Sequence, residues 1–568
     1  MIRLKVTIGI IVFSFALLFA RLVKIQLIDH PEYVRRAESN YIKALRIPHI
    51  RGRIFDRNGK TIASWVPAFR LSVISEKITP AMVESLSNFL DIKIDTGRLS
   101  RGPGYIPLVD NIPFEKAVLL EEEIERFPWV VVSSFPRRVY IRDSVLARAI
   151  SHVVGYVGEA TKEDIEKRGY SLGDYVGKFG IEKQYEKYLR GKDGFRFFAV
   201  DVRGRIVEAD PRPRIDPTKG HDITLAIDLE LERVIDSLFS KYDRGACIVL
   251  NAKTGEVLAS YSKPGFDPNR MSYGLTVSEW NRLLNAPDKP ILNRVICGAY
   301  PPGSIFKIAS AAIALDVGAV DSSTRFRPCH GSFRYGRRVW GCWKPSGHGS
   351  LDLPHAIQHS CDVYFYQLGI AVGLERFLKE AHKLGVDKPV GIDLPGECHG
   401  FIPTIDWYRK TYGPRGYGPG NVLNLAIGQG ELLFTPIEIA TFTGLVARGK
   451  MPRPHILKHI AGIGPLKVDT LYFPLDTTKL GAVRYGMWLV VNEPGGTAYW
   501  HRPKTVEAAG KTGTAQNPHG KDHALFTAYA PYRDPEIVVT VIVENSGHGG
   551  SVAAPIASAI IDWYFSHR

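Results

Sequence analysis

Ser304 and Lys307 stand three residues apart, and on a helix this spacing places a serine and a lysine on one face. A serine hydroxyl becomes a useful nucleophile when a neighbouring base takes its proton. A lysine amine can act as that base only when its pKa, ordinarily about 10.4, is lowered by burial or by nearby cations. A second lysine such as Lys511 can supply such a cation. The pair therefore predicts chemistry through a covalent acyl-enzyme.

Two more short motifs accompany this pair, and their order is informative. A Ser-x-Asp motif begins at Ser360, and a Lys-Thr-Gly motif begins at Lys511. A Ser-x-x-Lys pair alone occurs by chance in most proteins, whereas three motifs in this order are the signature of penicillin-recognising serine acyl enzymes. The sequence therefore predicts that five side chains carry the chemistry, namely Ser304, Lys307, Ser360, Asp362 and Lys511.

The residues around the motifs predict an oxyanion hole and a peptide-binding strand. Gly303 frees the turn so that Ser304 opens a helix with its backbone N–H exposed, which is one half of an oxyanion hole. Thr514, on the strand after Lys511, would supply the second N–H. That strand can accept an extended peptide as an added strand because it is rich in small residues, namely Ala508, Ala509, Gly510 and Gly513.

Longer segments extend the similarity to a specific family. The run Leu283-Leu-Asn-Ala-Pro-Asp-Lys-Pro-Ile-Leu-Asn-Arg, which leads into Tyr300-Pro-Pro-Gly-Ser, resembles elongation-type class B penicillin-binding proteins, as does Val176-Gly-Lys-Phe-Gly-Ile-Glu. The resemblance covers essentially the whole chain. It implies a membrane anchor, a non-catalytic pedestal and a C-terminal D,D-transpeptidase domain that β-lactams acylate. The implied activity is crosslinking of peptidoglycan stem peptides during cell elongation and rod-shape maintenance.

The resemblance also implies a role for each motif residue. Ser304 would attack the penultimate D-Ala carbonyl of a donor peptide and expel the terminal D-Ala, with Lys307 as base. Ser360 and Lys511 would relay protons. Asp362 departs from the Asn of many relatives, and its carboxylate stabilises ammonium, which works against a lysine as base. The substrate carboxylate and backbone would be held by the strand residues Thr512, Gly513 and Thr514.

Three of the six cysteines cluster around one histidine, and three Cys with one His form a donor set that structural zinc prefers. Some elongation-type relatives hold a metal with Asp, Asp, His and Cys at similar positions, which implies that two cysteines replace carboxylates here. Zinc would fix the loop that presents Ser360 and would take no part in catalysis. A Cys329 to Cys342 disulfide and free buried thiols are the alternatives. Cys247 is expected in a strand core. The four expected zinc ligands are Cys329, Cys342, His348 and Cys361.

The N-terminus contains a candidate membrane anchor. The residues from Val6 through Ala20 are uncharged, and they alone span about 22 Å as a helix, less than the ~30 Å hydrocarbon core. Arg21 or Lys24 would therefore extend to the membrane interface. A cleaved signal peptide is the alternative, but no small-x-small site precedes Arg21. We expect an uncleaved single-pass anchor in the bacterial inner membrane, with the rest of the chain outside the cytoplasm.

Length and charge narrow the class of protein. A chain of 568 residues, 45% hydrophobic and 23% charged, is globular and too long for one core. Its net charge of +15 is compatible with nucleic-acid binding, but no basic run interleaved with aromatic residues occurs. Attraction to anionic headgroups or to an anionic wall precursor is the better interpretation, with a generally basic solvated surface as the alternative.

The order of the predicted elements indicates an α+β protein, in which an antiparallel sheet is flanked by helices and its strands are not contiguous in sequence. An Asn58-Gly59 turn predicts a hairpin, and Pro113 to Phe127 reads as a helix. The predicted sections are an anchor (1–29), a mostly β pedestal (30–217) with an inserted lobe (about 66–145), and a transpeptidase domain (218–568). Phe195 to Val207 is expected to form a strand pair around Arg203-Gly204, and Ala246 to Tyr261 a hairpin with its turn at Lys253 to Gly255. Two more strands are expected at Leu525 to Ala530 and Ile537 to Val543, and a helix at Ala553 to Phe565.

Other functions use the same motifs. A division-type transpeptidase shares the chemistry, and a D,D-carboxypeptidase or β-lactamase would release the acyl group to water. A catalytically idle scaffold is the third alternative, although its motifs would not need to be intact. The expected substrates are stem peptides on nascent glycan derived from lipid II. By resemblance, the expected protein partner is a multi-pass, RodA-like glycosyltransferase of the SEDS type.

Overall fold

The computed structural model describes residues 2–34, 42–74, 78–94, 105–123, 125–200, 206–209, 213–413, 416–517 and 520–567. The chain forms two compact units. The first contains residues 1–51 and 190–220, and the second contains residues 52–189 and 221–568. Both units are discontinuous in sequence, because the chain leaves the first unit, builds part of the second and then returns.

The first unit contains the apolar helix Ile2–Val23, which continues as a wider π-helical turn over Lys24–Ile28. The 25-residue stretch Leu4–Ile28 reaches a mean hydropathy of 2.4 over 18 residues and has no buried residue, so its length and composition suit a membrane span. Three antiparallel strands complete the unit, in the order Ile42–Ile47, Gly194–Val200 and Ile206–Ala209. The predicted strand pair is confirmed, and its Arg203-Gly204 turn lies outside the described residues.

The second unit begins with a seven-stranded sheet. Its strands run in the order Gly464–Pro465, Leu457–Ile460, Ile223–Leu225, Ile54–Phe55, Thr61–Ile74 and Tyr105–Ile112, and Val130–Tyr140 also pairs with Thr61–Ile74. The predicted Asn58-Gly59 hairpin is confirmed, since Ile54–Phe55 pairs antiparallel with Thr61–Ile74.

Two helices, Pro80–Leu90 and Phe114–Glu122, bury their apolar faces on a separate small core in the lobe. The predicted helix from Pro113 to Phe127 therefore ends five residues early. Phe127 instead packs into this core, where it is 3% exposed.

A five-stranded antiparallel sheet forms the centre of the second unit. Its order is Val257–Lys263, Gly245–Asn251, Ile537–Val543, His523–Ala530 and Ala509–Ala515. These strands confirm the predicted hairpin after Ala246 and the two predicted late strands. The strand Ala509–Ala515, here called the KTG strand, is an edge of the sheet, so one side of its backbone is available to another chain.

Helices pack around this sheet, and strand and helix side chains form one continuous hydrophobic core. The terminal helix predicted from Ala553 is present as Ala553–Ser566. Cys247 is fully buried in its strand, as expected. The main helices are Leu229–Leu238, Lys307–Asp316, Leu353–Gln358, Asp362–Val372, Leu374–Lys383, Ile405–Tyr412, Asn421–Ala426, Pro436–Arg448 and Gly481–Asn492.

A buried acid makes the stability of this core depend on pH. Glu232 is 0% exposed, its Oε1 accepts a 2.7 Å hydrogen bond from the Ser260 N–H, and its Oε2 has no hydrogen-bond partner among the described residues. Burial raises the pKa of Glu232 from 4.5 to about 8. The folded protein therefore retains a proton that the unfolded chain releases near pH 4.5, so stability is greatest below that pH and decreases as the pH rises towards 8.

Because Glu232 binds its proton more tightly in the folded protein, we expect its contribution to lower the free energy of unfolding by about 2 kcal/mol between pH 5 and pH 7. In Glu232→Gln the fall should disappear, as measured by urea unfolding at several pH values. Glu375→Gln, which changes an exposed carboxylate, is the matched control and should retain the slope. An equal slope in Glu232→Gln and wild type would contradict the assignment.

Candidate active site

The Ser304 turn lies directly against the KTG strand. Gly303 through Phe306 form a 3₁₀ turn, and the helix Lys307–Asp316 follows it. Gly303 has φ +53°, and a Cβ at this position would lie 2.6 Å from the Thr514 carbonyl oxygen. Glycine is therefore needed both for the left-handed backbone and for the close approach of the strand. This contact brings Ser304 beside Thr514, as the proposed oxyanion hole requires.

Lys307 lies at the centre of the hydrogen-bonded polar site. Its Nζ is completely buried and donates hydrogen bonds to the Ser360 carbonyl (2.7 Å), the Ser360 Oγ (3.2 Å) and the Asp362 Oδ1 (2.7 Å). Within the described residues, the Ser304 hydroxyl has no hydrogen bond, so a Ser304–Lys307 hydrogen bond, which the helical spacing permits, is not formed. Helical spacing places the two residues on one face, but the side-chain direction of Lys307 is set by Ser360 and Asp362.

Lys511 reaches the same serine from the KTG strand. Its Nζ is buried and lies 2.9 Å from the Ser360 Oγ. Burial, followed by the nearby positive charge of Lys307, lowers the pKa of Lys511 well below its usual value, while Asp362 acts in the opposite direction. Ser360 thus lies between a lysine that is ion-paired with Asp362 and a lysine that favours the neutral amine.

Ser360 occupies a strained backbone position between two helices. It has φ +49°, in the left-handed region that non-glycine residues rarely adopt, after the helix Leu353–Gln358 and before Asp362–Val372. The strain turns its hydroxyl toward both lysines. Asp362 is held in turn by the backbone N–H of Trp343, which donates to its Oδ2 at 3.0 Å. Outliers of this kind concentrate at functional sites.

The KTG strand presents the remaining predicted residues. The Thr512 hydroxyl hydrogen bonds to the Thr497 hydroxyl at 2.7 Å, and the Thr514 carbonyl accepts a 3.0 Å bond from Gln429. Sequence reasoning did not identify Thr497 or Trp343. Gln429 was not predicted as a site residue either, although the segment from Asn424 to Gly430 resembles a segment that lies beside the active site in the family.

Ser304, Ser360, Asp362 and the KTG-strand residues from Thr512 through Thr514 line one open cavity of about 1020 Å³, and the fully buried Lys307 and Lys511 contact Ser360 from outside its lining. This volume is at the upper end of the range for small-ligand sites and suits a peptide. The cavity brings together the three sequence motifs. Its lining includes Ser304, Trp340, Trp343, Ser360, Asp362, Tyr366, Asn424, Gln429, Thr497, Thr512, Gly513, Thr514, Asp522 and His548.

The four predicted zinc ligands converge next to this cavity. Their donor atoms lie within 4.8 Å of one another, and the His348 Nδ1 is 3.7 Å from the Cys329 Sγ and 3.5 Å from the Cys342 Sγ. Cys329, Cys342 and Cys361 are free thiols, so the alternative Cys329 to Cys342 disulfide is not formed. The structure instead contains a disulfide between Cys297 and Cys398, which no sequence pattern indicated.

We expect Gly303→Ala to reduce the rate of acylation by penicillin about 10²-fold, because the added methyl group displaces Ser304 from the KTG strand. The second-order rate constant with a fluorescent penicillin measures this effect. Gly318→Ala is the control, since Gly318 also has a positive φ (+70°) but has open space around its Cβ position. Equal acylation rates in the two variants would contradict the argument from close approach.

Comparisons with known proteins agree with this geometry. The family model of the penicillin-binding protein transpeptidase domain matches residues 245–562, and that of the penicillin-binding protein dimerisation domain matches residues 46–225. Peptidoglycan D,D-transpeptidase MrdA of Haemophilus influenzae is 35% identical over 97% of this chain and 89% of its own length.

Solved structures of penicillin-binding proteins are also similar to this chain over nearly its whole length. Penicillin-binding protein PBP2 of Helicobacter pylori, in its complex with MreC, matches with a TM-score of 0.82 at 29% identity, over 93% of this chain and 99% of that one. A chain from a peptidoglycan synthase complex that coordinates polymerization and crosslinking matches with a TM-score of 0.73 at 30% identity, over 100% of this chain and 99% of that one. With two family models and a full-length relative in agreement, the chain belongs to the penicillin-binding protein transpeptidase family.

Proposed function

We propose that this chain is an elongation-type peptidoglycan D,D-transpeptidase in which Ser304 is the nucleophile. The observation that carries the proposal is the position of the Ser360 Oγ, which lies 2.9 Å from Lys511 and 3.2 Å from Lys307 in the cavity that Ser304 lines. Two buried amines on one hydroxyl form a proton relay, which a merely structural serine does not need.

In the first half-reaction, the Ser304 Oγ attacks the penultimate D-Ala carbonyl of the donor peptide. A C–O bond forms, the amide C–N bond breaks, and the hydroxyl proton passes through the lysine and Ser360 relay to the leaving D-Ala amine. The N–H groups of Ser304 and Thr514 stabilise the oxyanion. Thr512, Gly513 and Thr514 hold the peptide as an added strand on the sheet edge.

In the second half-reaction, an amine of another stem peptide attacks the ester. A C–N bond forms, the ester C–O bond breaks, and the Ser304 Oγ regains a proton that the amine loses. Carboxypeptidase activity is the same step with water in place of the amine. The cavity is open and has a volume of about 1020 Å³, which is at the upper end for small-ligand sites and supports transfer to a second peptide over hydrolysis.

The test is mass spectrometry of the full-length protein with a thioester donor that ends in D-Ala. We expect an acyl adduct on Ser304, its absence in Ser304→Ala, and transfer of the acyl group to an added D-amino acid. An adduct that is only hydrolysed supports a carboxypeptidase. No adduct on wild-type protein, with a fold intact by circular dichroism, supports the idle scaffold.

The cysteine cluster fits zinc as a structural ion. Cys329, Cys342 and Cys361 are buried, and the imidazole of His348 directs its Nδ1 at the sulfur atoms. The other ring nitrogen, Nε2, is buried without a hydrogen-bond partner among the described residues, so the ring has no competing role. Three thiolates and one imidazole form a closed structural set, and the ion would fix the Cys361 backbone beside Ser360.

We expect stoichiometric zinc in purified wild-type protein and its loss in Cys342→Ser. Removal of zinc should lower the free energy of unfolding by about 2.7 kcal/mol relative to protein with free zinc at a hundred times its Kd. Atomic absorption and thermal unfolding, with and without a chelator, measure both quantities. Wild-type protein without zinc, or unaffected by the chelator, would contradict the site.

The proposed location is the bacterial inner membrane, with the transpeptidase domain outside the cytoplasm. The apolar stretch Leu4–Ile28 and the Cys297–Cys398 disulfide, which requires an oxidising compartment, support it. The proposed partner is a RodA-like glycosyltransferase that supplies nascent glycan, and the match to a chain from a peptidoglycan synthase complex supports it. A crosslinking assay on nascent glycan, with and without that partner, tests the pairing.

A further inference from the structure

A short hairpin forms one wall of the active-site cavity. Its strands are Ser332–Tyr335 and Arg338–Gly341, and Gly336 with Arg337 makes the turn. The Cys342 N–H donates to the Gly331 carbonyl at 2.8 Å and closes the base of the hairpin. Trp340 and the following residues through Trp343 line the cavity that contains Ser304. The hairpin therefore borders the reacting atoms, although none of the catalytic motifs lies on it.

The hairpin region carries only positive charge. From Phe326 through Leu351 the sequence has five Arg or Lys residues and no Asp or Glu. All five side chains are exposed. In the described part of the chain none of them forms an ion pair, whereas Arg325, just before the segment, pairs with Asp352. A cluster of unpaired cations beside a cavity attracts anionic ligands. The five are Arg327, Arg334, Arg337, Arg338 and Lys344.

The pairing register shows which arginine shares a face with the cavity lining. Arg338 is opposite Tyr335 and Trp340 is opposite Phe333, so these four residues lie on one face of the hairpin. That face is the one through which Trp340 borders the cavity. Arg334 is opposite Val339 on the other face. Arg338 therefore shares a face with the cavity-lining Trp340, and Arg337 precedes it in the turn of the same hairpin.

The donor peptide does not need these arginines. In the proposed function its terminal carboxylate is held by Thr512 and Thr514 of the KTG strand, which forms a different wall of the cavity. A second stem peptide must enter the same cavity to deliver its amine, and it also carries free carboxylates. A guanidinium group binds a carboxylate through two parallel hydrogen bonds and fixes its orientation.

We propose that Arg337 and Arg338 bind the carboxylates of the acceptor stem peptide and orient its amine toward the Ser304 ester. Trp340 and Trp343 line the cavity that contains Ser304 on the side of this hairpin. The inference rests on the proposed function, since it assigns the second substrate of that reaction. It makes Arg337 and Arg338 determinants of acceptor specificity, while donor recognition remains with the KTG strand.

The test compares full-length wild type with Arg337→Gln/Arg338→Gln, with a thioester donor and a peptide amine acceptor. One form of the acceptor has free carboxylates and the other has them amidated. The double variant should raise the acceptor KM for the free form about tenfold, without a matching fall in kcat. With the amidated acceptor the KM values of the two proteins should be equal. High salt should raise the wild-type KM toward that of the variant.

Arg334→Gln is the matched control, because it removes an unpaired exposed arginine from the opposite face and should keep the wild-type KM. Equal acceptor KM values in the double variant and wild type would overturn the inference. Loss of binding to vesicles of anionic phospholipid, with an unchanged acceptor KM, would assign the arginines to a membrane surface and also overturn it. If wild-type protein forms no acyl-enzyme, the proposed function itself fails, which is a distinguishable result.

Discussion

Replacement of Lys511 by methionine is expected to reduce the rate of acylation by penicillin about 10³-fold, the typical contribution of a positioned proton-transfer group. The Lys511 amine is buried, lies 2.9 Å from the Ser360 Oγ and has a lowered pKa. Methionine has a similar length and no charge to bury, so the fold should survive the change. Stopped-flow acylation with a fluorescent penicillin gives the rate, and thermal unfolding gives the stability.

The pH dependence of acylation supplies an independent readout. Because burial and Lys307 lower the pKa of Lys511, its amine is neutral above that lowered pKa and protonated below it. The rate should therefore rise as the pH increases through a midpoint below 10.5, the usual value. Lys511→Met should lack this rise. Lys504→Met, at an exposed position in the same unit, should behave as wild type. An identical pH profile in Lys511→Met and wild type would show that Lys511 takes no part in the proton relay.

Loss of the Cys297–Cys398 disulfide is the second large effect that we expect. The bond joins residues 101 positions apart, and a loop of that size contributes about 4.7 kcal/mol by restricting the unfolded chain. Cys297 ends the short helix Arg294–Cys297 upstream of the Ser304 turn, and the Cys398 N–H donates to the Ile296 carbonyl at 3.0 Å. The bond therefore anchors the segment that leads to the nucleophile.

Cys297→Ser/Cys398→Ser should lower the free energy of unfolding by about this amount in denaturant titrations. Wild-type protein treated with reductant should lose the same stability, while the double variant should not respond to reductant. These comparisons distinguish the stability lost with the covalent bond from any change in stability caused by packing of the serine side chains. A double variant as stable as oxidised wild type would show that the native hydrogen bonds alone hold the segment.

Local patterns predicted the hairpins of the sheets and the terminal helix from Ala553. In these segments, alternation and turn residues agree with the tertiary environment, so the local preference is sufficient. The helix from Pro113 was predicted too long because Phe127 is drawn into the lobe core. A Ser304–Lys307 hydrogen bond was also not found, since Ser360 and Asp362, more than fifty positions away, determine where the Lys307 amine lies.

The sequence by itself determined the chemistry, because nucleophile, base and relay residues must be of specific types in a specific order. It also predicted that three cysteines and one histidine would come together, which the structure confirms for their donor atoms. Only the tertiary structure decided which lysine is ion-paired and which favours the neutral form, because that depends on burial and on distances across the fold. The same holds for the Cys297–Cys398 pairing and for the position of the arginine-bearing hairpin at the cavity, which depend on how distant segments meet.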